Sequence, residues 1–224
     1  AQAAAVGNDA VGTCGIAYDA KLMLIAVGEH DHVSQLDLAR AIAYAADPSV
    51  MGDEYDDKKG ADALTCAEGP ASGHAKLDSV LRDALDFAAA KGRKGKGMPV
   101  FWAVANEYMD MRHDEIVSYD KVVAVGSSSK RAKVSGLCAF GDRLAFLAPG
   151  QNVYNLRGSG DTYGPDSGTS FAAPVAAGIA ALMYAVNPDL NVGDVVRVMK
   201  EKGCRKLVSM SGEGPDQRHG HGLL

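Results

Sequence analysis

The chain has 224 residues, enough for one domain with a single sizeable core. Hydrophobic residues make up 47% and charged residues 23%, and 23 basic against 28 acidic side chains give a net charge of −5. With no basic stripe and no apolar run of about eighteen residues, the composition argues against a nucleic-acid partner and against a membrane span.

Short apolar runs alternate with amphipathic segments along the chain. The apolar runs predict five buried strands, at 21–27, 61–66, 99–105, 121–126 and 144–148. Apolar residues at three- and four-residue spacing predict helices at 34–46, 77–91 and 191–202, and an Ala-rich run predicts a buried helix at 171–186. Strands that alternate with helices indicate an α/β fold, with three α/β/α layers around a mainly parallel sheet.

The four cysteines, Cys14, Cys66, Cys138 and Cys204, lie far apart and form no CxxC pair. Two disulfides and four thiols are both compatible with this spacing. No signal peptide is predicted at the start of the chain, because residues 1–5 lack a charged segment followed by a long apolar one.

The segment 168–174, Gly-Thr-Ser-Phe-Ala-Ala-Pro, places a serine at the start of the buried helix. The unpaired N–H groups and the positive dipole end at a helix N-terminus favour negative charge. An oxyanion formed when Ser170 attacks a carbonyl would therefore be stabilised there, whereas helix capping is the plainer role for such a serine. The heptapeptide resembles the nucleophile motif of the subtilases, the subtilisin-like serine proteases, which implies that Ser170 is a catalytic nucleophile.

A second segment, 100–106, resembles the subtilase strand that ends in the oxyanion-hole asparagine. The resemblance implies that the side-chain amide of Asn106 donates to the oxyanion, as a neutral amide at the end of a strand can. Ala105 stands where the family usually has glycine, beside the primary specificity pocket, so the backbone there is expected to differ.

The segment 65–70 occupies the place of a Ser-x-Gly-Pro motif that is best matched in the kexin-like branch. The resemblance implies that an extended substrate pairs with its backbone, at Thr65, Cys66, Ala67, Glu68 and Gly69. Cys66 and Glu68 are not the usual residues there. Further similarity to the family lies at 15–22, 122–126, 148–150 and, again kexin-like, 219–224.

The histidine and aspartate of the catalytic triad have no counterpart in these residues. In the family the histidine stands in a His-Gly-Thr motif that aligns before Ala1, and the aspartate lies further upstream. None of the six histidines (His30, His32, His74, His113, His219 and His221) precedes Gly-Thr. The resemblance thus implies one catalytic domain over 1–224, truncated at its N-terminus.

Because a serine without a base is a weak nucleophile, this chain alone is expected to be inert. Two interpretations follow. Either a separate segment or chain supplies the histidine and aspartate of an endopeptidase that works through an acyl-enzyme, or the protein is a pseudoprotease that binds extended peptides without cleaving them.

Two histidine pairs, one within 29–32 and one at His219 and His221, supply too few ligands to predict a metal site. The resemblance requires no cofactor. It allows calcium, for which Asn8 and Asp9 offer oxygen atoms, although calcium takes about six to eight. The implied partners are a polypeptide substrate and an inhibitor or propeptide, and secretion is suggested by the family alone. The glycines of 158–164 do not form a dinucleotide-binding loop, because no helix follows at the required offset.

Overall fold

The computed structural model describes residues 1–27, 33–52, 59–69, 73–158, 162–210, 212 and 214–224. Within them, four strands form a parallel sheet in the order β1-β2-β3-β4, and two more form an antiparallel hairpin. The strands are β1 (Leu64–Cys66), β2 (Val100–Ala103), β3 (Val122–Ser129), β4 (Leu144–Gln151), β5 (Val153–Leu156) and β6 (Tyr163–Asp166). The α-helices are α1 (Gln35–Ala46), α2 (Ser79–Gly95), α3 (Thr169–Val186) and α4 (Val192–Val198), with short 3-10 turns at Pro48–Met51 and Met111–His113 and a π-helical turn at Met199–Gly203.

The two faces of the sheet are buried against different helices. Successive side chains of a strand point to opposite faces, and β2 shows the result clearly. Val100 and Trp102 pack in the core formed with α1 and α2, whereas Phe101 and Ala103 pack in the core formed with α3 and α4. This arrangement confirms the predicted three-layer α/β/α fold with a parallel sheet.

Most helix ends lie close to the predicted positions. The Ser34 side chain caps α1 by accepting the N–H of Asp37 at 3.1 Å, as expected. In α2 the helical dihedral angles stop at Gly92, and Arg93 follows with φ at 52°. In the basic segment that follows, the Arg93 side chain is only 5% exposed. Its guanidinium lies 3.4 Å from the ring centroid of Tyr184 and so joins α2 to α3.

The predicted buried strand at 21–27 is wrong. The structure assigns no strand there, and Leu24 is 87% and Leu22 61% exposed. Among the residues that the structure describes, no strand pairs with this segment to form a ladder. Between it and the free edge of β1 lies an apolar cavity of about 1060 Å³, which we call the β1 groove; its lining includes Leu22, Ile25, Leu38, Ile42, Leu64 and Ala181.

Helix α3 is the centre of the second core. Ala172, Ala173, Ala176 and Ala180 are fully buried, and small side chains let the helix lie close to the sheet. Its length of 18 residues and mean hydropathy of 1.6 also meet the composition of a membrane span, the one such case among the described helices. In this structure its buried face packs on the sheet, as expected of the core helix of an α/β domain.

Candidate active site

The end of β2 and the start of α3 meet at a hydrogen-bonded contact. The Thr169 N–H donates to Oδ1 of Asn106 at 2.8 Å. The Thr169 hydroxyl donates to the carbonyl of Val104 at 2.5 Å and lies 3.2 Å from the same Oδ1. These contacts fix the orientation of the Asn106 amide and leave its Nδ2, a donor, without a hydrogen bond among the described residues.

Ser170 follows Thr169 in the first turn of α3 and is half-buried. Ser170 and Asn106 line one pocket of about 340 Å³. The residue before this turn is held in place because the Gly168 N–H donates to the carbonyl of Gly150 at 2.8 Å. A serine, an asparagine with an unused amide N–H₂ and the N-terminal turn of a helix therefore line the same small space, a combination that suits an oxyanion beside a nucleophile.

The remaining wall of the pocket comes from two loops and the end of β2. It consists of Ala67, Glu68, Gly69, Ala103, Val104, Ala105, Glu107 and Asp114. The loop that follows β1 is anchored because Nε1 of Trp102 donates to the carbonyl of Glu68 at 2.5 Å. Of the predicted substrate-binding residues, Ala67, Glu68, Gly69 and Ala105 thus lie at the pocket with Ser170.

Thr65 and Cys66 do not line this pocket. Both belong to β1, where they pair with Phe101 and Trp102, and both line the β1 groove. Burial raises the pKa of the Cys66 thiol to about 12, which keeps it protonated. The loop that follows these two residues in the chain lines the pocket at Ala67, Glu68 and Gly69.

The four cysteines form no disulfide in this structure. Cys14 is exposed and Cys138 is buried, while Cys66 and Cys204 are half-buried. Burial also raises the pKa of the Cys204 thiol, to about 11. Of the two arrangements that the spacing allowed, the structure has four thiols, one of which is accessible.

No imidazole among the described residues hydrogen-bonds the Ser170 hydroxyl. His219 is 5% exposed and is held elsewhere, with Nδ1 2.8 Å from Oδ1 of Asp216 and Nε2 2.8 Å from the Ser209 hydroxyl. The rings of His74 and His113 stack on each other at 5.0 Å. His30 and His32 lie outside the described residues.

The part of the chain that the structure describes contains no group of three or more His, Cys, Asp or Glu side chains placed to hold a metal ion. In the loop considered for calcium, Oδ1 of Asp9 accepts the N–H of Val11 at 3.1 Å and so serves the turn itself. The Asn8 side chain and Oδ2 of Asp9 make no hydrogen bond among the described residues and provide oxygen atoms of the kind that calcium binds. The histidine-rich segment 29–32 lies outside the described residues.

One carboxylate in the pocket was not predicted. Asp114 is 4% exposed, and its Oδ1 accepts the N–H groups of Ile116 at 3.1 Å and Val117 at 3.3 Å. Burial raises the pKa of the Asp114 carboxyl and outweighs these two hydrogen bonds. The sequence carries no signal for this position, because a 3-10 turn at Met111–His113 brings Asp114 to the pocket.

The profile of the subtilase family matches residues 1–222, so this chain belongs to the subtilase family. It is 29% identical to a calcium-dependent protease of Nostoc sp. over 264 aligned residues, covering 98% of this chain and 37% of that protein. It is 32% identical to subtilisin DY of Bacillus licheniformis over 149 residues, covering 65% of this chain and 51% of that protein.

Among solved structures, a protease from Pseudoalteromonas arctica superposes with a TM-score of 0.83 at 24% sequence identity, covering all of this chain (100%) and 66% of the other. These findings confirm the predicted family and fold. The chain spans little more than a third (37%) of the length of the calcium-dependent protease.

Proposed function

We propose that this chain is the nucleophile-bearing part of an endopeptidase that hydrolyses peptide bonds through an acyl-enzyme. Ser170 attacks the carbonyl carbon, and the Asn106 amide and the Ser170 backbone N–H stabilise the oxyanion. The observation that carries the proposal is the shared pocket of Ser170 and Asn106, with the amide orientation fixed by Thr169.

The general base comes from outside these 224 residues. A histidine must accept the Ser170 proton and an aspartate must orient that histidine. In subtilisin itself, loss of the histidine alone lowers kcat by about 10⁶. The chain alone is therefore close to inert, and a segment that carries both residues is a required partner.

The β1 groove supports this requirement. β1 is an edge strand that pairs on one side only within the described part of the chain, and segment 21–27 and β1 both line the cavity. An extended polypeptide that enters the groove can pair with β1 and bury Leu22 and Met23, which line the groove, at the same time. We assign the groove to a strand of the complementing segment, which also completes the single catalytic domain.

A serine-directed fluorophosphonate tests the proposal. The 224-residue chain is treated alone and after co-expression with an Asp- and His-bearing segment of a complete subtilase. We expect labelling at Ser170 only in the complemented protein, and none in its Ser170→Ala variant. Ser167→Ala is the matched control, since Ser167 lies outside the pocket. A folded, complemented protein that stays unlabelled would exclude an activated nucleophile.

The absence of a base beside Ser170 in the described residues favours one alternative, a pseudoprotease that binds extended peptides without cleaving them. In that case a peptide binds along Ala67–Gly69 whether or not the complementing segment is present. Peptide binding without labelling in both preparations would establish it.

The other partners follow from the proposed reaction: a polypeptide substrate, and an inhibitor or propeptide that occupies the same pocket. Relatives named minor extracellular protease, of Bacillus subtilis, and extracellular protease, of Xanthomonas campestris, support secretion. The calcium in the name of the Nostoc relative supports a calcium ion for this protein as well, with Asn8 and Asp9 among its oxygen ligands.

A further inference from the structure

The pocket beside Ser170 has an unusual charge balance. Its lining contains three carboxylates, Glu68, Glu107 and Asp114, and no lysine, arginine or histidine. Glu68 and Glu107 are exposed near the solvent side, whereas Asp114 is buried. The ionisable side chains that line the pocket are therefore all acidic, and the most buried of them is Asp114.

One carboxylate oxygen of Asp114 is available to bind a ligand. Its Oδ1 is used by the two backbone N–H groups of Ile116 and Val117, and its Oδ2 has no hydrogen bond among the described residues. A buried carboxylate is costly to ionise, and burial raises the pKa of Asp114 even though the two backbone hydrogen bonds and the nearby His74 act to lower it. A cationic group that reached Oδ2 would offset this cost.

The shape of the pocket limits which cation fits. The walls between Ser170 and Asp114 include Ala103, Val104 and Ala105, small or aliphatic residues that can line an apolar stem. The three carboxylates do not converge on a point where one metal ion could bind. A long aliphatic stem with a charged end matches both features.

We infer that the pocket binds a lysine or arginine side chain of the substrate, and that Asp114 determines this specificity. The inference rests on the proposed function, in which Ser170 attacks the carbonyl of the residue that precedes the cleaved bond. The side chain of that residue is attached next to the attacked carbonyl and enters the pocket that Ser170 and Asp114 both line. Asp114 then accepts hydrogen bonds from its charged end, with Glu68 and Glu107 adding to the field.

Benzamidine, a cation with an apolar body, tests this pocket without any need for catalysis. Its binding to the 224-residue chain is measured by NMR titration beside that of benzyl alcohol, a neutral molecule of similar shape. We expect benzamidine to bind at least about 10-fold more tightly, and Asp114→Asn to weaken it roughly 10- to 100-fold. Asparagine retains the Oδ1 acceptor that Ile116 and Val117 need.

Glu115→Gln is the matched control. It removes a neighbouring negative charge that pairs with Lys76 at 2.6 Å and does not line the pocket, so benzamidine binding should not change. If Asp114→Asn fails to fold, Glu107→Gln and Glu68→Gln replace it, each with an expected loss of about 2- to 5-fold. Equal binding of the cation and the neutral molecule, or no loss in these variants, would overturn the inference.

The complemented protein separates this inference from the proposed function. Peptides that differ only in Arg, Lys, Met or Leu before the cleaved bond are compared for kcat/KM, and Arg and Lys should be preferred. If the fluorophosphonate labels the protein but Arg and Lys are not preferred, the inferred specificity is contradicted while the proposed protease activity is supported. If Asp114→Asn weakens benzamidine binding but the fluorophosphonate does not label the protein, the proposed protease activity is contradicted while the cation-binding pocket is supported.

Discussion

Thr169 and Asn106 are joined by a hydrogen bond of 2.8 Å from the backbone N–H to the side-chain Oδ1. An amide group has one acceptor end and one donor end, so a bond that uses the oxygen presents the nitrogen to the pocket. The residue next to the nucleophile thus sets which end of Asn106 a substrate carbonyl meets.

Asn106→Ala removes this donor. In the complemented protein we expect kcat to fall by about 10²–10³, the magnitude known from subtilisin itself, with little change in KM. Steady-state kinetics on a fluorogenic peptide measure both constants. Asn155→Ala, on the β5–β6 hairpin, should leave kcat unchanged. A fall confined to KM would indicate that Asn106 only binds substrate.

Gly150→Ala disturbs the turn that precedes the nucleophile. A Cβ at position 150 would lie 2.6 Å from the carbonyl oxygen of Gly168 and 2.7 Å from the Ser127 hydroxyl. We expect a loss of about 1–3 kcal/mol in the free energy of unfolding, measured by urea titration. Gly136→Ala is the control, since nothing lies within 4 Å of its Cβ. Equal stability of the two variants would show that the Gly150–Gly168 contact is loose.

The cysteines should differ sharply in reactivity. Cys14 is exposed, whereas burial holds Cys138 away from solvent and raises the pKa of Cys66 to about 12. Since the thiolate is the reactive form, iodoacetamide at pH 8 should modify Cys14 first in the folded chain. Mass spectrometry of timed samples locates the label, and denatured chain provides the reference. Early modification of Cys66 would contradict the packing of β1.

Asp216 links stability to pH. Its burial opposes ionisation, but hydrogen bonds from His219 and from the N–H of Arg218 outweigh burial and lower the pKa of the carboxyl. A lowered pKa stabilises the folded protein at pH values above the ordinary pKa of a carboxyl group. This stabilisation is lost as the pH falls through the pKa that Asp216 has in the folded protein. At pH 7, Asp216→Asn should cost about 0.5–1 kcal/mol.

The same measurement at lower pH tests the sign. Between pH 5 and pH 2 the difference between the original chain and Asp216→Asn should shrink, because both then lack the charge. Urea unfolding at each pH gives the difference, with Asp83→Asn, exposed on α2, as the control. A gap that stays constant across this range would mean that the charge of Asp216 contributes nothing.

Local patterns were sufficient to predict much of this fold. Continuous apolar runs located β2, β3 and β4, and the cap at Ser34 located the start of α1, because each signal depends on neighbours in sequence. The segment 21–27 shows the limit of such signals. An apolar run has strand composition, but a ladder requires a partner, and here the β1 groove separates the run from the sheet.

The site was also only partly predictable. The motifs around Ser170 and Asn106 are contiguous, so the sequence displays them, and the structure brings both to one pocket. Asp114 and Arg93 depend on contacts between distant elements. A turn places Asp114 in the lining of the pocket, and the Arg93 guanidinium packs on the ring of Tyr184. Neither contact has a local pattern.

Strand β2 packs with one face against α1 and α2 and with the other against α3 and α4. It ends at Ala103, just before the oxyanion donor at Asn106. The backbone that leads to this amide is held between both layers, and close-packed interiors resist displacement. The exposed Asn106 side chain is held in turn by its hydrogen bond from Thr169, so little reorganisation remains to be done when charge develops on the carbonyl oxygen.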